Sequence, residues 1–244
     1  MKKVSVYLLL LIGLTISCSD NRDDKSGLLW RVTSKDKKNG FIFGTIHLYP
    51  NDRLKISNQV LSTLKQCKTL ALERNIKDSV DQKIFTERAI RIQAIFRTYQ
   101  VISNKYGEGL KNMESELITF ADSNNIRLTG LETSTELLES MTKVPKIDKV
   151  ETDEYIIGLY ELSLDIYKDE LIDYFADTYL NKELGLEARK LLVDVRNENW
   201  LDNIDNLINQ DTVFIAVGMG HLGGENGLLN LLKKKGYKLE RIEI

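Results

Sequence analysis

Short apolar runs alternate along the chain with longer segments in which apolar residues recur at helical spacing. The first two runs, at 27–33 (GLLWRVT) and 41–47 (FIFGTIH), have the length of strands. Between them the chain ends a polar segment with Asn39-Gly40, a dipeptide that readily adopts positive φ in a tight turn. The pattern therefore predicts an opening β-hairpin.

The remaining apolar positions predict an alternation of strands and helices. Strands are predicted at 68–73 (KTLALE), 126–132 (IRLTGLE), 211–218 (DTVFIAVG) and 237–244. Helices are predicted at 53–66, 79–105, 112–123, 151–180, 185–207 and 228–235. This alternation indicates an α/β (α+β) fold with a central mixed, mainly parallel sheet, in which the helical stretches at about 79–124 and 150–207 are insertions.

The N-terminus has the pattern of an export signal. Lys2 and Lys3 precede an apolar run at 4–16, which is too short to span a bilayer but typical of the core of a secretory signal. A small residue before Cys18 suggests the lipobox of bacterial lipoproteins, although Leu14 lies one place further from the cysteine than in the commonest pattern. The alternative is an ordinary cleaved signal with an incidental cysteine.

These features predict three segments: a signal peptide at 1–17, a polar lipidated tether at 18–27 and one domain at 28–244. The lipid on Cys18 would anchor the protein to a membrane of the cell envelope. The serine after Cys18 fits sorting to the outer membrane in the usual rule.

Charge and cysteine content narrow the choice of partners and chemistry. The formal net charge is −2 and no basic stripe occurs, so nucleic acid is not predicted as a partner. Once Cys18 is lipidated, Cys67 is the only remaining thiol and cannot form an intramolecular disulfide. Cys67 is interpreted as a small buried apolar residue rather than a nucleophile.

The candidate chemistry lies at the ends of the predicted strands. The only two histidines, His47 and His221, both end a Gly-x-x-His pattern that follows an apolar strand. Glu73 and Glu132 end two other strands. If these four strands run parallel, the four side chains converge on one rim of the sheet, where ligand sites assemble.

Two imidazoles with one or two carboxylates form a plausible ligand set for Zn²⁺, Mn²⁺ or Co²⁺, with a carboxylate left over as general base. The alternative is that the histidines are structural hydrogen-bonding residues and the glutamates are simply solvated. Other chemistries lack their motifs, because no GxSxG elbow, Walker A loop or GxGxxG turn after a strand is present.

Several segments resemble one known family in family order. They are LWRV at 29–32, FIFGTIHLYP at 41–50, TLALE at 69–73, LTGLET at 128–133, VRNENW at 195–200, and TVFIAVGMGHLGGENGLLNLLKKKGYKLERI at 212–242. With these residues the chain resembles the TraB/GumN (TraB/PrgY/GumN) family, which is related to the Tiki metalloproteases that cleave Wnt proteins. The resemblance implies a Tiki/TraB/erythromycin-esterase-like fold and a metal-dependent, peptidase-like hydrolase site.

The resemblance also assigns residues. The paired histidines of the family fall on His47 and His221, its strand-end glutamate on Glu73, its LET glutamate on Glu132 and its RN motif on Arg196-Asn197. Arg196 would hold a substrate carboxylate or stabilise an oxyanion, or it would only form an ion pair that fixes the helix at 185–207. The chain departs from the family in a compressed middle segment, since residues 105–112 contain neither Pro nor Trp.

The resulting hypothesis is a divalent metal bound by His47 and His221, with Glu73 as ligand or general base, activating water against an amide or ester carbonyl. Glu132 would orient a histidine or complete the coordination. A peptide or protein is the expected substrate, and small-molecule ester hydrolysis is a weaker possibility. A different class of function remains open, namely a non-catalytic envelope lipoprotein that binds peptide, haem or metal.

Overall fold

A computed structural model of the protein describes residues 27–74, 93–145 and 151–244. The predicted signal peptide, the tether up to residue 26 with Cys18, and the first part of the helix predicted at 79–105 lie outside the described residues. The strands are β1 (Leu29–Thr33), β2 (Asn39–Thr45), β3 (Leu48–Pro50), β4 (Thr69–Arg74), β5 (Leu110–Asn112), β6 (Arg127–Glu132), β7 (Val213–Gly218) and β8 (Lys238–Ile242). The longer helices are α1 (Asn58–Lys65), α2 (Gln93–Tyr106), α3 (Met113–Ser123), α4 (Ser134–Lys143), α5 (Asp153–Lys168), α6 (Val195–Gln210) and α7 (Leu228–Lys235).

The central sheet is mixed and mainly parallel, as predicted. Its strand order is β6-β4-β7-β2-β1-β8. The first four strands in this order pair in parallel, while β1 is antiparallel to both β2 and β8. The carboxyl ends of β2, β4, β6 and β7 therefore lie along one edge, with Thr45 opposite Gly218 and Arg74 opposite Glu132.

The opening hairpin is confirmed, but the prediction that Asn39-Gly40 forms its turn is wrong. Both residues belong to β2, and the turn is closed by the hydrogen bond from the Ser34 N–H to the Lys38 carbonyl, with Lys37 at a φ of 60°. Position 40 requires a glycine for a different reason, because a Cβ there would lie 2.9 Å from Cγ1 of Ile208. Helix α6 packs closely against the strand at this point.

Helix boundaries differ from the prediction where local capping overrides periodicity. Helix α1 begins only after Ser57, whose hydroxyl accepts the N–H of Val60. The stretch predicted at 151–180 is divided after α5, where Glu170 has a φ of 55°. Helical structure resumes at 172–184 and 186–210, and each stretch contains one π-helical turn, at Phe175–Tyr179 and Lys190–Asp194.

Two features were not predicted. Helix α4 begins with a capping box, in which the Thr133 hydroxyl accepts the Glu136 N–H and the Glu136 carboxylate accepts the Thr133 N–H. The short strands β3 and β5 form a separate antiparallel pair. None of the helices in the described ranges is both long enough and apolar enough to cross a membrane.

Two helices bring their first turns to the carboxyl edge of the sheet. Helix α3 contacts β4 and β6, and α6 contacts β6. On α6 the buried positions are Arg196, Asn197, Trp200, Ile204 and Ile208, which share one face at helical spacing. The apolar end of this face anchors the helix, so the polar end is held at the rim.

Candidate functional site

Three of the four side chains predicted at the strand ends, those of His47, Glu73 and His221, lie around Gly218. A Cβ on Gly218 would lie 3.2 Å from Oε1 of Glu73, 3.8 Å from Nε2 of His47 and 3.8 Å from Cδ2 of His221. The His47 Nε2 and His221 Cδ2 atoms are therefore at most twice this distance apart, which places the two rings around the same space. Two nitrogens that share one ion at metal–nitrogen distances near 2 Å lie no more than about 4 Å apart. Any side chain at Gly218 would fill the space that these groups surround.

His47 is oriented by a carboxylate from α3. Its Nδ1 lies 2.8 Å from Oε1 of Glu114, which also accepts the Thr45 hydroxyl at 2.6 Å. A carboxylate only accepts, so Nδ1 carries the proton and Nε2 is the free end of the ring. Burial, which would lower the pKa of His47, is weak because the side chain is 51% exposed, and the Glu114 carboxylate raises this pKa well above 6.5.

His221 is oriented by an amide from α6. The side-chain nitrogen of Asn197 donates to the carbonyls of His221 and Asn226, so its Oδ1 is the atom that accepts from Nδ1 of His221, at 2.7 Å. Nε2 of His221 therefore carries a lone pair. Burial lowers the pKa of His221 to about 3, and the ring, 4.6 Å from that of Trp200, is neutral at pH 7.

Glu73 lies between the two histidines and is ionised. Its Oε1 accepts the N–H of Gly218 at 2.7 Å and lies 3.7 Å from Nε2 of His221, while its Oε2 accepts from Arg196 at 2.7 Å. Burial alone would raise the pKa of Glu73, but the positive charges of Arg196 and His47 and the hydrogen bond from the Gly218 N–H hold this pKa well below 4.5. Glu73 thus carries a negative charge directly beside both imidazoles.

Arg196 joins the carboxylates to one another. Its Nε and Nη2 donate to Glu132 and Nη2 also donates to Glu73, while Nη1 donates to the Leu192 carbonyl at 2.8 Å. The other contact of Nη1 is Nε2 of His221, at 3.4 Å. All the N–H donors of the guanidinium are engaged, and the contact to His221 is the longest.

Glu132 belongs to the Arg196 side of the cluster. It is buried, accepts from Arg196 and accepts the indole N–H of Trp200 at 3.2 Å. The Arg196 guanidinium also lies 4.7 Å from the Trp200 ring. The structure therefore places Glu132 against Arg196, whereas the Nδ1 atoms of the two histidines are bonded by Glu114 and Asn197.

Sequence reasoning brought His47, Glu73, His221 and Arg196 together and missed the partners that orient them. Asn197 was noted only as part of the RN pair, and Glu114 was not considered. Glu114 is an acidic residue in the first turn of a helix, a position where the helix dipole alone favours carboxylates. The sequence had no signal that linked it to a histidine 67 positions earlier.

The side chains of the site are of the chemical types that bind a divalent metal, but their atoms do not surround a single position at metal-binding distance. Imidazole nitrogens and a carboxylate oxygen suit Zn²⁺, Mn²⁺ or Co²⁺. Within the described ranges, no group of three or more His, Cys, Asp or Glu side chains is arranged to hold an ion as it stands. Arg196 occupies Oε2 of Glu73 and approaches His221, so a bound ion would require these side chains to adjust.

Cys67 is buried outside this cluster, in agreement with its interpretation as an apolar residue. Its thiol donates to the Thr63 carbonyl at 3.4 Å. Burial raises the pKa of Cys67 to about 12, so the reactive thiolate is scarce at neutral pH.

Acidification from about pH 7 to about pH 4 is expected to destabilise the protein through His221. Its pKa falls from 6.5 to about 3 on folding, so its contribution to stability is present above pH 6.5 and is lost as the pH falls towards 3. One such group contributes a slope of at most about 1.4 kcal/mol per pH unit. Glu73 adds to this loss below pH 4.5, whereas the raised pKa of His47 acts in the opposite direction, at higher pH.

Urea unfolding at several pH values in this range would measure the effect. The slope between pH 6.5 and 5 should be smaller in His221→Asn, which has no titrating ring at this position. Equal slopes in the two proteins would contradict the assignment.

The fold and the site together define an α/β protein whose parallel strands deliver two histidines and a glutamate to one edge of the sheet. The chain belongs to the TraB/PrgY/gumN family, whose family model matches residues 28–93 and 92–241. Searches of curated proteins and of solved structures matched no relative of this chain.

Proposed function

We propose that the protein is a metal-dependent, peptidase-like hydrolase of the bacterial cell envelope. The observation that supports this most is the orientation of the two histidines. Glu114 and Asn197 bind the Nδ1 atoms, so the Nε2 atoms of both histidines are left beside Glu73 as candidate metal ligands. Hydrogen-bond acceptors on the distal nitrogen are the usual arrangement of metal-binding histidines.

In this proposal His47, His221 and Glu73 would hold a Mn²⁺, Co²⁺ or Zn²⁺ ion. A bound ion of this kind lowers the pKa of water towards neutrality and polarises a carbonyl. Glu73 acts as a ligand rather than as the general base, because a carboxylate with a lowered pKa is a weak base near neutral pH. His47 would have to lose the proton on Nε2, and keep the one on Nδ1 that Glu114 accepts, before it could bind an ion.

Arg196 is the residue placed to stabilise an oxyanion or hold a substrate carboxylate. Since its remaining donors are committed to Glu132, Glu73 and the Leu192 carbonyl, Nη1 is the group that can turn to substrate by giving up its 3.4 Å contact to His221. Glu132 and Trp200 position the guanidinium.

Metal analysis of protein purified without chelator tests the shared site. The unsubstituted protein should contain a transition metal in stoichiometric amount, and both His47→Ala and His221→Ala should lose it. If either variant kept its full metal content, the two histidines would not share one ion.

Glu114→Gln and Glu116→Gln form a matched pair on α3. Glu114 accepts from His47, whereas Glu116 accepts the Tyr49 hydroxyl. Loss of the partner of a metal-binding histidine lowers metal affinity by about 10- to 100-fold. This drop is expected for Glu114→Gln and not for Glu116→Gln, and equal affinities would contradict the positioning role of Glu114.

Incubation with a peptide library and Mn²⁺, Co²⁺ or Zn²⁺ separates hydrolysis from binding. New termini that depend on both histidines support the hydrolase. Saturable binding without products would instead support the non-catalytic lipoprotein, and cleavage of esters alone would move the substrate class to small molecules.

We also propose that the protein is anchored in the outer membrane by a lipid on Cys18. The support is the apolar run at 4–16 followed by Ser17-Cys18. Metabolic labelling with a palmitate analogue should label the unsubstituted protein, and label on Cys18→Ser would contradict this site of attachment.

A further inference from the structure

A cavity lies away from the histidine site, between the β3–β5 pair, the loop at 51–57, helix α1 and helix α3. Its volume is about 560 Å³, within the range of pockets that bind small molecules. Much of the lining is apolar and comes from the side chains of Leu54, Ile56, Leu61 and Phe120. These four side chains are partly buried, so each has surface left to cover.

The lining of the cavity contains more positively charged residues than negatively charged ones. Lys55 and Lys111 line it, and neither has an ion-pair partner among the described residues. The carboxylate in the lining, Glu116, accepts the hydroxyl of Tyr49. The described lining therefore contributes two positive charges beside an apolar surface and one negative charge, that of Glu116.

We propose that this cavity binds an amphipathic carboxylate, with its apolar body on the Leu54, Ile56, Leu61 and Phe120 surface and its carboxylate at Lys55 and Lys111. Removal of the apolar body from water supplies most of the affinity. The two lysines supply the sign of the charge. A free fatty acid and the C-terminus of a peptide ending in an apolar residue both have this chemistry.

The cavity is independent of the proposed metal site, because none of the proposed ligands lines it. It is nevertheless built from neighbouring residues, since Tyr49 follows His47 by two positions and Glu116 follows Glu114 by two. Backbone pairing of Leu48 with Asn112 joins the two segments. Binding in this cavity can therefore be tested without metal, and a negative result would not argue against the proposed hydrolase function.

Calorimetric titration of the metal-free protein with octanoate tests the proposal. Octylammonium has the same body with the opposite charge, octanol lacks the charge, and acetate lacks the body. Octanoate should bind at one site, with octylammonium and acetate at least about tenfold weaker and octanol in between. Equal affinity for octanoate and octylammonium, or no binding of octanoate or of the peptide described below, would overturn it.

Charge reversals locate the binding site. Lys55→Glu and Lys111→Glu should each weaken octanoate binding by about five- to tenfold, because a weak exposed ion pair is replaced by repulsion. Lys65→Glu makes the same change on α1 outside the cavity and should leave the affinity unchanged. Thr119→Trp places a large side chain in the cavity and should abolish binding without disturbing the core, since Thr119 is exposed.

A short peptide ending in leucine, as the free acid and as the amide, distinguishes the two sources. Tighter binding of the acid than of octanoate assigns the cavity to peptide termini, and the reverse order assigns it to fatty acids. Circular dichroism of each variant checks that folding is retained. If both lysine variants, correctly folded, bound octanoate as tightly as Lys65→Glu, the proposed head-group site would be wrong.

Discussion

Replacement of Arg196 by methionine is expected to lower the free energy of unfolding by about 3–5 kcal/mol, the usual cost of removing one partner from a buried ion pair. The Arg196 side chain is 7% exposed and that of Glu132 is 6% exposed. Without the guanidinium, Glu132 would lose its counter-charge in a poorly hydrated space, and Glu73 would keep only the positive charge of His47 nearby. Methionine preserves most of the length of the side chain, so the decrease in the free energy of unfolding would reflect the removed charge more than the removed volume.

Urea denaturation at pH 7 measures this loss, and Arg127→Met is a suitable control. Arg127 is an exposed residue whose guanidinium donates to the Thr69 hydroxyl, so its removal should cost less than about 1 kcal/mol. In the double variant Arg196→Met/Glu132→Gln the loss should be smaller than the sum of the single losses, because one stranded charge is gone. A loss for Arg196→Met no larger than for Arg127→Met would contradict the central role of the guanidinium.

Replacement of Glu73 by glutamine is expected to reduce kcat/KM on any peptide that the protein cleaves by about 100-fold or more. Glutamine has the same shape but no charge to offer to a divalent ion. Its amide also cannot accept on both ends, whereas Glu73 accepts from Gly218 and from Arg196. On the proposed role, the variant would therefore lose a metal ligand and one of the two hydrogen bonds that hold the side chain.

Metal content measured on the same samples decides between the two roles of Glu73. A ligand role requires that metal and activity fall together, whereas a general base would lose activity with its metal retained. Glu108→Gln, an exposed residue outside the site, is the control for the loss of one negative charge. Unchanged kcat/KM in Glu73→Gln would remove this residue from the mechanism.

The positions of the central strands were predictable because strands buried on both faces must be apolar along their whole length. The run at 68–73 predicted β4 to within one residue at either end, and the run at 211–218 predicted the end of β7 and placed its start two residues early. Helix α4 was missed although the sequence contains both its capping box, Thr133-x-x-Glu136, and apolar residues at helical spacing, Leu137, Leu138 and Met141. The turn of the first hairpin was misplaced because Gly40 meets a packing requirement from α6 and not a conformational one.

The strand-end residues of the site were predictable for a related reason. In a parallel sheet the carboxyl ends of neighbouring strands share one edge, so His47, Glu73 and His221 had to approach one another once their strands were placed. Glu132 also lies at this edge, but its carboxylate binds Arg196 and not a histidine. Arg196, in the first turn of α6, lies between Glu132 and His221. No rule of strand order predicts where a helix of the insertions will place a guanidinium.

The paired histidines, the glutamate between them and the mainly parallel sheet were therefore determined by the sequence itself, because period, burial and strand order act through local pattern. Only the tertiary structure decided which nitrogen of each histidine is free. That choice depends on Glu114 and Asn197, which reach the rings from two helices inserted between the strands. The tertiary structure also brings Arg196 to Glu73, where its positive charge lowers the pKa of the carboxylate. Contacts of this kind join residues far apart in the chain, and their geometry depends on how the helices pack on the sheet.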